Sequence, residues 1–120
     1  MDISHLHLHV RDRGRATEFY RRWFGLGVWI EGEDITFLKG TDDFLLALMH
    51  DADPTPVPPW FHFGMRMPDA AALHDLLDRM RVAQVPIVKP LYEDAVFASF
   101  RCGDPDGYAI ELYWEDRTGR

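Results

Sequence analysis

Polar and apolar residues alternate from Ile3 to Val10, Ser4 excepted, which predicts a half-buried strand. Leu6, Leu8 and Val10 fall on one face and His5, His7 and His9 on the other. The period then changes. Ala16, Phe19, Tyr20 and Trp23 recur at helical spacing, behind Asp12 at an N-cap position and ahead of Gly25 and Gly27, which end the helix. Three short strands are expected next, near residues 28–31, 34–39 and 44–50.

The same order then returns. Displacing the sequence by 57 residues sets His5 on His62, Asp12 on Asp69, Phe19 on Leu76, Trp23 on Met80, Val28 on Val85 and Ile30 on Ile87. A second strand follows, then a helix carrying Ala72, Leu73, Leu76, Leu77 and Met80 on one stripe, then strands near 86–91, 95–102 and 108–115. Each half therefore reads β-α-β-β-β. Module 1 covers about 1–52 and module 2 about 60–116, joined by the stiff Pro-rich stretch 53–59 within a single domain of 120 residues. The fold class is α+β. Each sheet is expected to bury one face under its helix, the two modules forming an open, barrel-like mixed sheet around a concave pocket.

Alternation assigns the helix-facing set to Leu6, Leu8 and Val10; Phe61, Phe63 and Met65; Val96, Ala98, Phe100 and Cys102; and Ile110, Leu112 and Trp114. The opposite set is His5, His7 and His9; Trp60, His62 and Arg66; Phe97, Ser99 and Arg101; and Ala109, Glu111 and Tyr113. Two imidazoles at repeat-equivalent positions, His5 and His62, share that face with the carboxylate of Glu111. Such a set can occupy one side of a divalent ion's coordination sphere and leave the other open to substrate, and it suits iron, manganese, nickel, cobalt or zinc. A competing site is His5, His7 and His9 alone, converging from one strand. His7 is placed as an acid or base, Arg101 as the partner of an anionic oxygen, and Tyr113 as a donor to an oxyanion. His9, Trp60, Phe97 and Ser99 line the pocket, the aromatic rings suited to stacking on a planar group. His50 and His74 read as surface residues.

Composition narrows the partners. The net charge of −7 and the lack of a basic face argue against nucleic acid. The opening MDISHLHLHV is too polar for a signal-peptide core, and the longest apolar run, Phe44–Met49, falls far short of the roughly 20 residues of a membrane span. The single cysteine, Cys102, forms no intrachain disulfide and fits a reducing compartment. A cytoplasmic protein acting on a small molecule is expected.

The stretches Ile3–Asp12, Ala16–Tyr20 with Phe24–Gly27, Phe61–Met67, and above all Asp104-Pro-Asp-Gly-Tyr-Ala-Ile-Glu-Leu-Tyr113 together resemble the vicinal oxygen chelate superfamily. That superfamily includes glyoxalase I, extradiol dioxygenases, fosfomycin-resistance enzymes and bleomycin-resistance proteins. The resemblance implies paired β-α-β-β-β modules, one divalent metal ion held by His5, His62 and Glu111, a substrate chelating that ion through two oxygens, and a homodimer. One departure stands out: the counterpart of Glu111 in the first half is Ala47, where glyoxalase I-like members carry a fourth, carboxylate ligand. Residues 89–97 also lack the Ser-rich loop of fosfomycin thiol transferases. The expected activity is therefore dioxygenase-like ahead of lyase-like. The alternative is a metal-free protein that sequesters a drug or metabolite, as bleomycin-resistance members do.

Overall fold

In a computed structural model, which describes residues 1–118, the chain forms two compact units: Met1–Pro56, and a second from Val57 onward. The first contains β1 (His5–Val10), α1 (Arg13–Phe24), β2 (Gly27–Glu31), β3 (Ile35–Lys39) and β4 (Leu45–His50). The second contains β5 (His62–Arg66), α2 (Ala70–Val82), β6 (Ile87–Glu93), β7 (Phe97–Gly103) and β8 (Ala109–Glu115). Their sheets have the same order, β1-β4-β3-β2 and β5-β8-β7-β6. In each, the first strand runs parallel to the last and the other pairs are antiparallel. The fold is α+β, and the repeat read in the sequence is a repeat of topology.

Local chemistry starts and stops the helices. Asp12 accepts a hydrogen bond from the Arg15 amide at 3.0 Å, and Asp69 accepts one from the Ala72 amide at 2.7 Å, each satisfying a free N–H of the first turn. Gly25 ends α1 in the left-handed region at φ 70°, donating to the Arg21 carbonyl, while Leu26 donates to Tyr20. At the end of α2 the left-handed position is taken by Gln84 at φ 61°, a conformation that costs a side chain with a Cβ.

The buried faces follow the alternation. Leu8, Val10, Leu38, Leu46 and Leu48 form the core of unit one with Ala16 and Tyr20; Ala98, Phe100, Cys102, Ile110 and Leu112 form that of unit two with Leu73, Leu76, Leu77 and Met80. Each large side chain so buried contributes roughly 1.5–3 kcal/mol. Thr36 is the polar exception on the first sheet's helix face. Its hydroxyl accepts from Arg13, whose guanidinium also donates to the Gly32 and Glu33 carbonyls and so fastens the start of α1 to the β2–β3 turn. Burial pushes the Cys102 thiol up to about 12, helped by the nearby Asp104 charge, so the thiol stays protonated and unreactive.

Three expectations need correction. The first strand begins at His5, because Ile3 is exposed and finds no cover. Val96, expected on the buried face of β7, is exposed in the turn before it. Both its amide and that of Phe97 donate to Asp94 Oδ1, and this side-chain bonding extends the turn so that β7 begins at Phe97, two residues later than the alternation places it. Trp60, expected on a strand, lies exposed in a turn ahead of β5, closed by the Phe61 amide donating to the Pro58 carbonyl. Among the described residues no helix is long and apolar enough to cross a membrane.

Two opposite shifts in stability are expected in urea denaturation. Asp69→Ala lowers the unfolding free energy by about 1 kcal/mol through the lost cap, and Gln84→Gly raises it by about 1 kcal/mol through relieved backbone strain.

Candidate metal and substrate site

The second sheet gathers most of the chemistry on the face away from its helix. β8 lies between β5 and β7, so Glu111 is flanked in register by Gly64 and Arg101, and Tyr113 by Arg66 and Ser99. Gly64 brings no side chain, and the Tyr113 ring packs against it: a Cβ there would stand 3.5 Å from Tyr113 Cε1. The Ser99 hydroxyl donates to Glu111 Oε2 at 3.0 Å, and Ser99 is itself buried, so one carboxylate oxygen is fixed. His62 is half-buried. Its Nδ1 lies 3.0 Å from the Trp60 carbonyl, which can only accept. The proton therefore sits on Nδ1, and Nε2 presents a lone pair.

Arg101 reaches that lone pair, its Nη2 3.4 Å from His62 Nε2, while its Nε is shielded from solvent without a hydrogen-bond partner. A buried donor left unpaired is costly, so this arrangement of Arg101 is one that a ligand can improve. Phe97 stacks on Tyr113 with centroids 6.5 Å apart and planes at 27°, and Tyr92 packs against Phe97 at 6.4 Å. Lys89 stands in register with Arg101. Two cations in one row beside Glu111 give this part of an acidic protein a local preference for anionic groups.

The turn leading into β8 shows why the Asp-Pro-Asp-Gly sequence is there. Buried Asp104 accepts from the amides of Asp106 and Tyr108 at 2.9 Å each, and Gly107 adopts φ 88°. This turn delivers Ala109 opposite His62 and sets Glu111 two residues further along the same face.

The first sheet carries His5, His7 and His9 in register with Leu45, Ala47 and Met49. Ala47 stands beside His7 as Glu111 stands beside Gly64, so the two positions are structural counterparts and the first unit offers no carboxylate there. Ser4 Oγ lies 3.0 Å from His5 Nδ1. His9 Nδ1 lies 2.8 Å from Asp51 Oδ2, and its ring is 5.2 Å from that of His7. Among the described residues no three His, Cys, Asp or Glu side chains gather closely enough to hold an ion, which applies to His5, His7 and His9 on β1 and to His62 and Glu111 on the second sheet alike.

Of the sequence-derived candidates, His62, Ser99, Arg101, Glu111, Phe97 and Tyr113 share the face of the second sheet, with Trp60 contributing its carbonyl from the adjoining turn. His5, His7 and His9 share the corresponding face of the first. Sequence reasoning missed Asp51 and Lys89. Asp51 was within reach of an argument from topology, since parallel pairing of Val10 with His50 brings the residue after β4 to the end of β1.

The chemistry of the donor set fits a divalent cation: an imidazole bonded to a carbonyl through Nδ1, and a carboxylate with one oxygen already anchored.

The sequence profile of the Glyoxalase/Bleomycin resistance protein/Dioxygenase superfamily matches residues 2–112. No curated protein sequence gives a significant match. Among solved structures, a possible glyoxalase from Bacillus cereus is similar at 27% identity and TM-score 0.80, covering 93% of this chain and 97% of that one. Lactoylglutathione lyase from Agrobacterium tumefaciens shares the fold at 21% identity and TM-score 0.77, covering 99% and 97%. So does the fosfomycin resistance protein FosX from Listeria monocytogenes, at 18% identity and TM-score 0.83, covering 98% and 95%.

The loop that carries Tyr92 and Phe97 is expected to weaken in acid. The Val96 amide, then the Tyr92 hydroxyl, hold the Asp94 carboxyl below its ordinary value of 3.8. Its ionised form therefore stabilises the fold at pH above about 4, and that stability is lost as pH falls through the lowered pKa. Asp94→Asn should be less stable than the parent at pH 7, with the gap narrowing in parallel urea titrations as the pH is lowered below 3.8.

Proposed function

The chain belongs to the Glyoxalase/Bleomycin resistance protein/Dioxygenase superfamily, and on that premise we propose that it is a divalent-metal-dependent enzyme acting on a small, oxygen-bearing substrate that chelates the ion. His5, His62 and Glu111 are the ligands in this reading. The observation that carries it is the bond from His62 Nδ1 to the Trp60 carbonyl, which turns Nε2 outward on the sheet face that also bears Glu111. The absence of a fourth carboxylate, with Ala47 in the position equivalent to Glu111, supports a dioxygenase-like activity ahead of a glyoxalase-like lyase. A divalent ion there supplies Lewis acidity that makes a chelating hydroxyl more acidic.

The protein's own groups do the rest. His62 and Glu111 bind, and Ser99 keeps Glu111 aimed. Arg101 transfers its free donors to an anionic substrate oxygen, Tyr113 donates to an oxyanion, and Phe97 and Trp60 offer faces to a planar group. His7, its ring 5.2 Å from that of His9, is placed as acid or base, with His9 lining the same face. In keeping with the family resemblance, the protein works as a homodimer in the cytoplasm on a small molecule. The contact of Arg101 with His62 Nε2 favours a second reading, a metal-free protein that sequesters an antibiotic or metabolite, in which the guanidinium takes the place of the ion.

Calorimetric titration with iron(II), manganese, nickel, cobalt and zinc separates the two. The enzyme reading expects about one ion per chain, with affinity falling at least a hundredfold in Glu111→Ala and His62→Ala while circular dichroism is unchanged. It further expects the iron-loaded protein to consume dioxygen with catechol and to leave the methylglyoxal–glutathione adduct untouched. Unchanged stoichiometry in His62→Ala overturns the ligand set, and no binding at micromolar metal puts the sequestering protein in front.

A further inference from the structure

Arg101 and His62 stand on β7 and β5, the two strands that flank β8. Glu111, in register with Arg101 on β8, takes the Ser99 hydroxyl on Oε2, and the guanidinium spans β8 to bring Nη2 within 3.4 Å of His62 Nε2. That contact is long for a hydrogen bond, and it leaves Nε shielded from solvent without a partner. Arg13, Arg79 and Arg117 donate to oxygen. Arg21 is the closest parallel, because its Nε and Nη2 each take one oxygen of the Glu18 carboxylate. Arg101 presents the same edge with one donor empty and the other on a nitrogen lone pair.

That lone pair is also the one a divalent ion would use. The Trp60 carbonyl occupies His62 Nδ1, so Nε2 is the nitrogen open to either cation, and one lone pair cannot serve both. When the ion binds, Arg101 leaves, and both donors of its edge then need oxygen. A carboxylate supplies two oxygens in the plane and at the spacing of that edge. Exposed Lys89 stands in register on the far side of Arg101, so a second positive charge lies beside the fork. On a chain of net charge −7, attraction for an anion has to come from such a local arrangement.

We propose that the Nε–Nη2 edge of Arg101 is a carboxylate subsite strengthened by Lys89, and that the ligand of this face is a small acid whose carboxylate lies beside its chelating oxygens. Arg101 then has two positions: on His62 Nε2 while the site is empty, and on the carboxylate once the ion has taken that nitrogen. Each event supplies what the other needs, so ion and acid bind cooperatively. A neutral ligand of the same shape leaves the fork unpaired, which is how the site rejects it. The exchange with the ion rests on the ligand set proposed above, whereas the subsite belongs to the metal-free chain as well.

Titrating the metal-free full chain with benzoate, whose ring suits the Phe97–Tyr113 stack, tests the subsite without any ion. In ¹H–¹⁵N spectra of the arginine side chains, the Arg101 Nε–H resonance should move saturably with benzoate and stay in place with benzamide. That of Arg21 should move with neither. Benzoate affinity should fall at least tenfold in Arg101→Met and threefold in Lys89→Met, with circular dichroism unchanged. Arg101→Lys, which keeps the charge and lacks the fork, should stay at least threefold weaker than the parent. An unmoved Arg101 resonance, or equal movement with benzamide, overturns the subsite. Zinc calorimetry without benzoate reads the exchange: Arg101→Met should bind zinc at least threefold more tightly than the parent, because nothing competes for His62 Nε2. Equal or weaker binding there overturns the exchange. No zinc binding in either protein overturns the metal reading and the exchange with it, and the benzoate titration still decides the subsite.

Discussion

Parallel pairing between the first and last strands of each unit is the constraint from which the candidate site follows. A strand alternates its side chains between two faces, and parallel pairing in register carries that alternation across to its neighbour. Because β5 and β8 pair this way, His62 and Glu111 fall on one face, and Phe100, Ile110 and Leu112 are left to the core on the other. The same pairing in the first unit sets the three histidines of β1 beside Leu45, Ala47 and Met49. A slip of one residue in either unit would exchange core for chemistry, and each large apolar side chain opposes that slip with roughly 1.5–3 kcal/mol.

Upon this frame, hydrogen bonds to one ring nitrogen decide what the other can do. His62 is held through Nδ1 by a carbonyl, which turns Nε2 outward, and His9 is held through Nδ1 by a carboxylate. His74 is held through Nε2, and its remaining nitrogen is the hindered one. The distinction separates His62 from His74, which joins a helix to a strand. The two units are alike in topology and unlike in charge: the second supplies Glu111 with Arg101 and Lys89, and the first has Ala47 where a carboxylate would stand.

Much of this was legible in the sequence because it depends on local rules. Asp12 and Asp69 cap as their side chains suggest, Gly25 ends its helix in the left-handed region, and the alternating runs choose the faces they should. What was not legible depends on side chains that redirect the backbone or on residues far apart in the chain. Asp94 draws the Val96 and Phe97 amides into a turn, so Val96 leaves the buried face, and no apolar periodicity reveals that. Gln84 takes a position where glycine is the usual signal. The partnership of His9 with Asp51 spans 42 positions and emerges only once strand order is known. The pairing of Trp60 with His62 was hidden for another reason: the backbone carbonyl, not the indole, makes the contact.

The central claim is that His62 and Glu111, with His5, hold one divalent ion through outward-facing nitrogens and a carboxylate. X-ray absorption at the zinc edge of the zinc-loaded full chain tests it most directly. The account predicts two imidazole nitrogens per ion, with the remaining first-sphere scatterers oxygen and no sulfur from Cys102. One imidazole or none, or a sulfur ligand, would contradict it.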